Sequence, residues 1–283
     1  MAKGKAVLFG AAGGGKRLFQ EVSERYEVLC FTDNDSNKWG KKLNGVPILN
    51  PDEAVKKMEW DEVVVTSAPG CCSICDQLVH MGVPLGKINT SYVDFPLKSR
   101  IVFLESLGKQ MREQNIGGEC AEAGVFQGDF AKEINRIFPE KKLYLFDTFK
   151  GFAQKDIEIE RQQKFSESKV NDYANSSVEM VLRKMPYPAK CVVKQGYFPE
   201  TTVGINDQFC FVNLDLDLYQ PTINGLRWVQ DKMVTGGIVL VHDYFATNFQ
   251  GPKQAVDEFI EENKGKLQAF PIGDGISIMI AGF

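Results

Sequence analysis

The residues with the most evident chemistry fall in two stretches. Asn213-Leu214-Asp215-Leu216-Asp217-Leu218-Tyr219 ends an apolar run with two carboxylates, and Val239-Leu240-Val241-His242-Asp243-Tyr244 ends another with an imidazole and a carboxylate. Both read as the carboxyl ends of strands, where open α/β sheets place their ligands. Asp215, His242 and Asp243 together offer hard oxygens and one nitrogen to a single divalent cation. The alternative is that His242 and Asp243 form a helix-capping or salt-bridged pair. Asp217 stands two residues from Asp215 and points to the same face only if the strand continues that far. Asp215 is a candidate general base, with His242 taking that role if no metal binds.

A second kind of signal lies in two glycine turns. Glu119-Cys120-Ala121-Glu122-Ala123-Gly124-Val125-Phe126-Gln127-Gly128 is an acidic strand end followed by glycines four apart at the start of a helix. Such glycines would let the chain pass close under a ligand, while Glu122 or Glu119 could accept from a cationic amino group. The arrangement suits an amino-acid moiety and suits a pyrophosphate poorly, since a carboxylate would repel it. The next strand ends in Asp147, placed to chelate two ribose hydroxyls or, alternatively, to cap a turn. Nearer the N-terminus, Gly10-Ala11-Ala12-Gly13-Gly14-Gly15 fits the dinucleotide fingerprint with Ala12 in its middle place, and Asp33 stands where a ribose-binding acid belongs. Gly10, Gly13, Gly15 and Asp33 form either a second nucleotide site or a turn that lets helix and strand pack.

The elements that must position these residues alternate along the chain. Lys5–Gly10, Val28–Thr32 and Glu62–Ser67 read as strands, with Val46–Ile48 as a short one. Lys16–Tyr26, Pro51–Met58 and Cys71–His80 read as helices. Strands alternating with helices imply a parallel sheet covered on both faces. The rhythm stops over Val83–Pro96, a Leu97–Asn115 helix follows, and a domain boundary is expected near Phe95, giving domains 1–95 and 96–283. The second series runs through strands at Gly118–Ala123, Lys142–Phe146, Cys191–Lys194, Phe209–Leu214 and Gly237–Val241, with a helix at Asp129–Ile137. It closes on a hairpin of Leu267–Phe270 and Ile276–Ile280 about Gly273-Asp274-Gly275. Ala153–Asn175 is polar and weakly periodic and reads as a mobile insertion or lid.

Composition narrows the class. The 283 residues carry 33 Lys plus Arg against 37 Asp plus Glu, a net charge of −4, so no basic excess is available for nucleic acid. Hydrophobic residues are 43% and charged residues 25%, as in folded soluble proteins rather than disordered or disulfide-stapled ones. No apolar run approaches a membrane span, and Met1–Gly4 leads into a strand-like segment without a signal-peptide core, so the expectation is a cytoplasmic protein. Seven cysteines without regular spacing suit a reducing compartment. Cys72-x-x-Cys75 is read as helix cysteines rather than half a zinc or redox site.

Six blocks in Gly118–Phe283 carry a family resemblance: EAGVFQGDFA from Glu122, LFDTFKGF from Leu145, KQGYFPETT from Lys194, FVNLDLDLYQPT from Phe211, GGIVLVHDY from Gly236 and GPKQAVDEF from Gly251. This part resembles the macrocin O-methyltransferase (TylF-type) family of class I S-adenosylmethionine-dependent methyltransferases. Residues 1–95, through VLFGAAGGG, FTDND and KWGKKLNGVPI, resemble the small Rossmann-like nucleotide-binding module of polysaccharide-biosynthesis proteins. The resemblance implies a two-domain α/β chain. A small Rossmann-like parallel sheet would precede a seven-stranded methyltransferase fold whose last strand is antiparallel.

It also implies methyl transfer from S-adenosylmethionine to a hydroxyl of a sugar, glycan precursor or secondary metabolite. By carry-over Glu122, Gly124 and Gly128 would hold the methionine part, Asp147 the ribose, and Gly196, Tyr197 and Phe198 would border the adenine, with Phe126, Thr148 and Asp215 as further cofactor contacts. The family's cation ligands map to Asp215 and to His242-Asp243, where an Asp-Asp pair is usual. Imidazole suits Mn²⁺, Fe²⁺ or Zn²⁺ better than Mg²⁺. The acceptor pocket is expected from loops at 150–175 and 244–251, and the Leu97–Asn115 helix offers a surface for a homo-oligomer. Two rival readings are an NAD- or nucleotide-sugar-dependent enzyme using the front module and a non-catalytic glycan-assembly partner. Against the first stand Ala12 and the absence of a Tyr-x-x-x-Lys pair.

Overall fold

The structure is a computed structural model describing residues 3–56, 58–67 and 70–283. Met1 and Ala2 of the expected lead-in, Lys57 of the expected second helix and the side chain of Cys72 lie outside the described residues. The chain divides into two compact units, Met1–Leu97 and Lys98–Phe283. No helix among the described residues is long and apolar enough to cross a membrane.

The first unit contains β1 (Gly4–Phe9), α1 (Gly13–Arg25), β2 (Tyr26–Thr32), β3 (Lys42–Leu43), β4 (Val46–Leu49), α2 (Pro51–Lys56), β5 (Glu62–Val65), α3 (Cys71–His80) and β6 (Ile88–Asn89). Its six strands order β3-β4-β2-β1-β5-β6. Ala6–Phe9 and Val63–Val65 are buried throughout because helices cover both faces of a parallel sheet, which demands continuous apolar runs. The sheet departs from the all-parallel expectation at its edge, where β3 pairs antiparallel with β4. Asn44 and Gly45, both at positive φ, make the two-residue hairpin turn that such dipeptides favour.

Helix α4 (Ser91–Glu113) starts six residues before the expected Leu97. Asn89 accepts from the Ser91 amide, and the Thr90 hydroxyl bonds Asp94. The helix therefore begins before Pro96, which stands inside it and cannot donate to the Tyr92 carbonyl one turn back.

The second unit follows with β7 (Glu119–Ala123), α5 (Asp129–Ile137), β8 (Leu143–Asp147), α6 (Gln154–Gln163), α7 (Val178–Lys184), β9 (Cys191–Gln195), β10 (Phe209–Leu214), α8 (Tyr219–Gln230), β11 (Met233–Val241), α9 (Gly251–Glu262), β12 (Gln268–Pro271) and β13 (Ile278–Ala281). The seven strands order β12-β13-β11-β10-β7-β8-β9. β13 is antiparallel to both neighbours, while β7 to β11 are parallel, which is the expected methyltransferase topology. Alternate strand residues feed two cores. Val212, Val239 and Val241 face one with Phe146 and Phe209, and Phe211 and Leu240 face the other with Phe138 and Leu145.

The segment expected to be a mobile insertion or lid opens with a helix, α6, that runs through Gln163. Asp156, Ile157 and Glu160 are buried along one side of α6. Glu160 accepts from the Tyr219 amide at the start of α8, and Asp156 accepts from the Tyr197 hydroxyl. The segment reads as polar and weakly periodic because the inward face of this helix is itself acidic.

Gly124 shows how tightly the strand ends meet. At φ +84 a Cβ there would lie 1.7 Å from the Asp215 carbonyl oxygen, whereas Gly273, at φ +87, has open space. Gly124→Ala is expected to cost about 3 kcal/mol or more and Gly273→Ala roughly 1 kcal/mol, since both strain φ but only one collides. Equilibrium urea unfolding of the two variants checks this. Equal costs would contradict the close crossing at Gly124.

Candidate active site

The turn after β7, the end of β8, the turn after β10 and the turn after β11 converge at the carboxyl edge of the second sheet. The register sets this convergence, with Ala123 beside Leu214 and Leu214 beside Val241. The Asp215 amide donates to the Ala123 carbonyl and the His242 amide to that of Leu214, each continuing the ladder by one residue. Both carboxylate and imidazole thus leave the sheet from adjacent strands at the same level.

Asp215, His242 and Asp243 come together. His242 Nδ1 lies 3.0 Å from Asp215 Oδ1 and 3.1 Å from Asp243 Oδ2. Neither contact has hydrogen-bond geometry, so Nδ1 remains a buried nitrogen without a hydrogen-bond partner. Burial disfavours the imidazolium, but the flanking Asp215 and Asp243 carboxylates outweigh it and raise His242 to about 9. Burial likewise opposes ionisation of Asp215 and Asp243, yet His242 holds both below the usual carboxylate range, with Asp243 at about 2. Asp217, at φ +60, has left the strand, and burial together with Asp243 and Asp215 pushes its carboxyl well above the usual carboxylate range. With no cation present, His242 is protonated at neutral pH, which suits it poorly for the role of metal-free base.

The donor set also fits a small cation. One atom from each of Asp215, His242 and Asp243 lies within 4.8 Å of the others, and among the described residues no other group of three or more His, Cys, Asp or Glu does so. The unpartnered Nδ1 between two carboxylates is what a nitrogen ligand would be before binding, since metal and proton compete for the same lone pair.

Glu122 is 1% exposed. Its Oε1 accepts from Asn213 Nδ2 at 2.8 Å, while Oε2 has no partner, and burial with the nearby Asp215 charge raises its pKa to about 8. Glu119 lies at the opposite end of β7 and accepts from the Lys142 amide, so it is not part of this site. Asp147 accepts from the Phe126 amide at 2.8 Å through Oδ2 and from the Phe149 amide at 2.7 Å through Oδ1. It ties the glycine turn to its own strand end and keeps acceptor capacity on each oxygen for a ligand hydroxyl.

The glycines stand at close contacts. Gly124 admits the Asp215 carbonyl, and a Cβ on Gly128 would lie 3.0 Å from Val181. Phe126 stands at φ 48 with its ring edge-on to Tyr173 at 5.3 Å. The Thr148 hydroxyl donates to the Gly151 carbonyl within a local turn. At the far strand, Gly196 (φ +141) meets Thr201 and Tyr197 is fixed by Asp156, so neither is brought to the acid cluster. The Phe198 ring, 4% exposed, packs among Phe146 and Trp228 in the core.

In the first unit Asp33 accepts from the Ala11 amide and from Lys38 Nζ, both at 2.8 Å. Cβ atoms on Gly14 and Gly15 would lie 2.1 and 2.0 Å from the Thr66 and Gly10 carbonyl oxygens, and Gly13 has open space. These contacts supply the packing reason for the turn.

Sequence reasoning missed Arg100, whose NH1 lies 3.3 Å from Asp215 Oδ2 and whose guanidinium sits 3.9 Å from the Phe130 ring centre. Nothing in a long amphipathic helix distinguishes a buried arginine from the solvated ones beside it. It also missed Tyr173, whose hydroxyl is pushed up by burial and by Asp217, Asp243 and Asp215.

Residues 97–273 match the family described as Macrocin-O-methyltransferase (TylF), and residues 2–89 match one described as C2185-like, N-terminal. Among solved structures the chain is similar to the O-methyltransferase NovP, with TM-score 0.52 and 20% identity, covering 64% of this chain and 78% of that one. It is also similar to CalS11, a calicheamicin methyltransferase, with TM-score 0.55 and 17% identity, covering 75% and 91%. These likenesses establish a shared fold. No curated protein matches the sequence.

The raised His242 pKa has a sign that can be checked. Its ion pairs stabilise the fold fully below the unfolded imidazole pKa, about 6.5, and that contribution is lost as pH rises through about 9. In EDTA-treated protein the stability difference between wild type and His242→Gln should therefore narrow between pH 6.5 and 9.5. Urea unfolding across that range measures it, and a constant difference would contradict the pairing.

Proposed function

The chain belongs to the macrocin O-methyltransferase (TylF) family and is an S-adenosylmethionine-dependent O-methyltransferase, and from that premise we propose that it methylates a hydroxyl of a sugar or sugar-bearing metabolite at the cluster around Asp215. The observation that carries this placement is the convergence of Glu122, Asp147, Asp215, His242 and Asp243 on one sheet edge, with the buried Glu122 Oε2 left unpartnered. The sugar class is supported by CalS11, which is described as a TDP-rhamnose 3′-O-methyltransferase.

S-adenosylmethionine supplies an electrophilic methyl group on a sulfonium. Asp147 offers its remaining lone pairs to the ribose hydroxyls, and Glu122 Oε2 accepts from the ammonium of the methionine part. Asp215, held ionised by His242 and Arg100, orients the acceptor hydroxyl. It takes the hydroxyl proton as the oxygen–carbon bond forms and the sulfur–carbon bond breaks, leaving S-adenosylhomocysteine. Positioning supplies most of the acceleration in such a displacement. Asp215, His242 Nδ1 and Asp243 would hold a divalent cation, which supplies Lewis acidity to the acceptor oxygen when bound.

The front unit is read as a separate domain ending near Phe95 that does not take part in transfer. A nucleotide at Gly10–Gly15 and Asp33 has no observation favouring it over the packing role.

Transfer of radiolabelled methyl from S-adenosylmethionine to a panel of nucleotide-linked deoxysugars tests the proposal. Asp215→Asn should lower kcat about 100-fold or more, as loss of a general base does. Activity abolished by EDTA and restored by Mn²⁺, with His242→Asp shifting preference toward Mg²⁺, would support the cation. EDTA-resistant activity would remove it. No transfer to any sugar hydroxyl by protein that binds the cofactor would overturn the acceptor class.

A further inference from the structure

Three buried polar atoms around Glu122 have no hydrogen-bond partner: Glu122 Oε2, Asn213 Oδ1 and Arg100 Nε. Two are acceptors and one is a donor on a permanent cation. Burying such groups unpaired is costly, and native structures rarely leave them so without a ligand to complete them. The Arg100 side chain is 7% exposed, and three contacts fix it: one NH1 bond to Asp215, the Phe130 ring at 3.9 Å, and its own helix α4. Phe130 stands in the first turn of α5, directly after the Gly124–Gly128 turn, so Arg100 is held against the same turn that Glu122 precedes. Glu122 and Arg100 do not pair with each other, as neither lies in an ion pair with the other.

A ligand that satisfies all three atoms must donate at Glu122 and Asn213 and accept at Arg100. A cation alone cannot, because Arg100 Nε has no lone pair to give it. A fully ionised phosphate cannot, because it offers acceptors only and leaves Asn213 Oδ1 and Glu122 Oε2 without a donor. A zwitterionic amino-acid head does both without changing the net charge of the pocket.

We infer that Arg100 binds the α-carboxylate of the cofactor's methionine part, opposite an α-ammonium held by Glu122 Oε2 and Asn213 Oδ1. This rests on the cofactor site proposed above and adds to it a residue from outside the glycine turn. Arg100 also steadies Asp215 through NH1, so one guanidinium joins the cofactor subsite to the residue that handles the acceptor.

The test is calorimetric binding of two ligands to the full chain. S-adenosylhomocysteine carries the whole amino-acid head, and 5′-deoxy-5′-(3-aminopropylthio)adenosine keeps the ammonium and lacks the carboxylate. Wild-type protein should bind the first about 10- to 100-fold more tightly, the range expected for a charge-assisted hydrogen bond. In Arg100→Met and Arg100→Lys that ratio should fall to about 3-fold or less, because the loss falls on the carboxylate-bearing ligand alone. Equal weakening of both ligands would mean that Arg100 acts only through packing or Asp215 and would overturn the inference, as would an unchanged ratio. If Arg100→Met does not fold, the ratio in Arg100→Lys decides. If the wild-type protein binds neither ligand, the cofactor site itself is misplaced, an outcome separate from failure of the Arg100 assignment.

Discussion

Two carboxylates, those of Asp215 and Asp243, share one imidazole nitrogen at distances of 3.0 and 3.1 Å, at the edge of a sheet otherwise packed with apolar side chains. Charges removed from water are tolerated only when opposite charges answer them. The second unit meets that requirement with His242 between the carboxylates and Arg100 behind one of them. Much of the surrounding backbone serves this arrangement. β10 lies between β7 and β11, so residues that follow those strands emerge side by side. Gly124 lacks a side chain because the Asp215 carbonyl takes its place, and Asp217 and Asp243 adopt positive φ to turn their carboxyls toward the cluster.

The same constraint divides labour among the acids. Asp215 and Asp243 stay ionised because His242 lies against both, while burial and the neighbouring carboxylate charges push Glu122 and Asp217 toward the protonated state. A site whose carboxylates differ in this way offers an ionised base next to neutral groups that respond to a ligand's charge. An arriving ammonium would favour ionised Glu122, and an arriving cation would displace the His242 proton. Each is a local electrostatic event that leaves the sheet untouched.

What was legible in the sequence follows from this physics. Phe209–Leu214 and Asp129–Ile137 coincide with the elements formed, because a doubly covered strand must be apolar throughout and a surface helix must alternate its faces. The acids at strand ends were legible because polar residues interrupt apolar runs there. Arg100, the inward acidic face of α6 and the burial of Phe198 were not, because each depends on partners distant along the chain: Asp215, Tyr219 and Trp228. The glycines at 124 and 128 were read as a ligand cradle, and the contacts an added Cβ would make with Asp215 and Val181 give each a packing reason as well. A spacing pattern records that a side chain is excluded and says nothing of what excludes it.

The central claim is that the cofactor occupies the edge formed by β7, β8 and β10 in the second unit. A crystal structure of the chain with S-adenosylhomocysteine tests it most directly. The account predicts ribose hydroxyls within hydrogen-bond distance of Asp147 and an amino-acid head beside Glu122 and Asn213. Density for the nucleoside at the Gly10–Gly15 turn of the first unit, with Glu122 Oε2 still unpartnered, would contradict it.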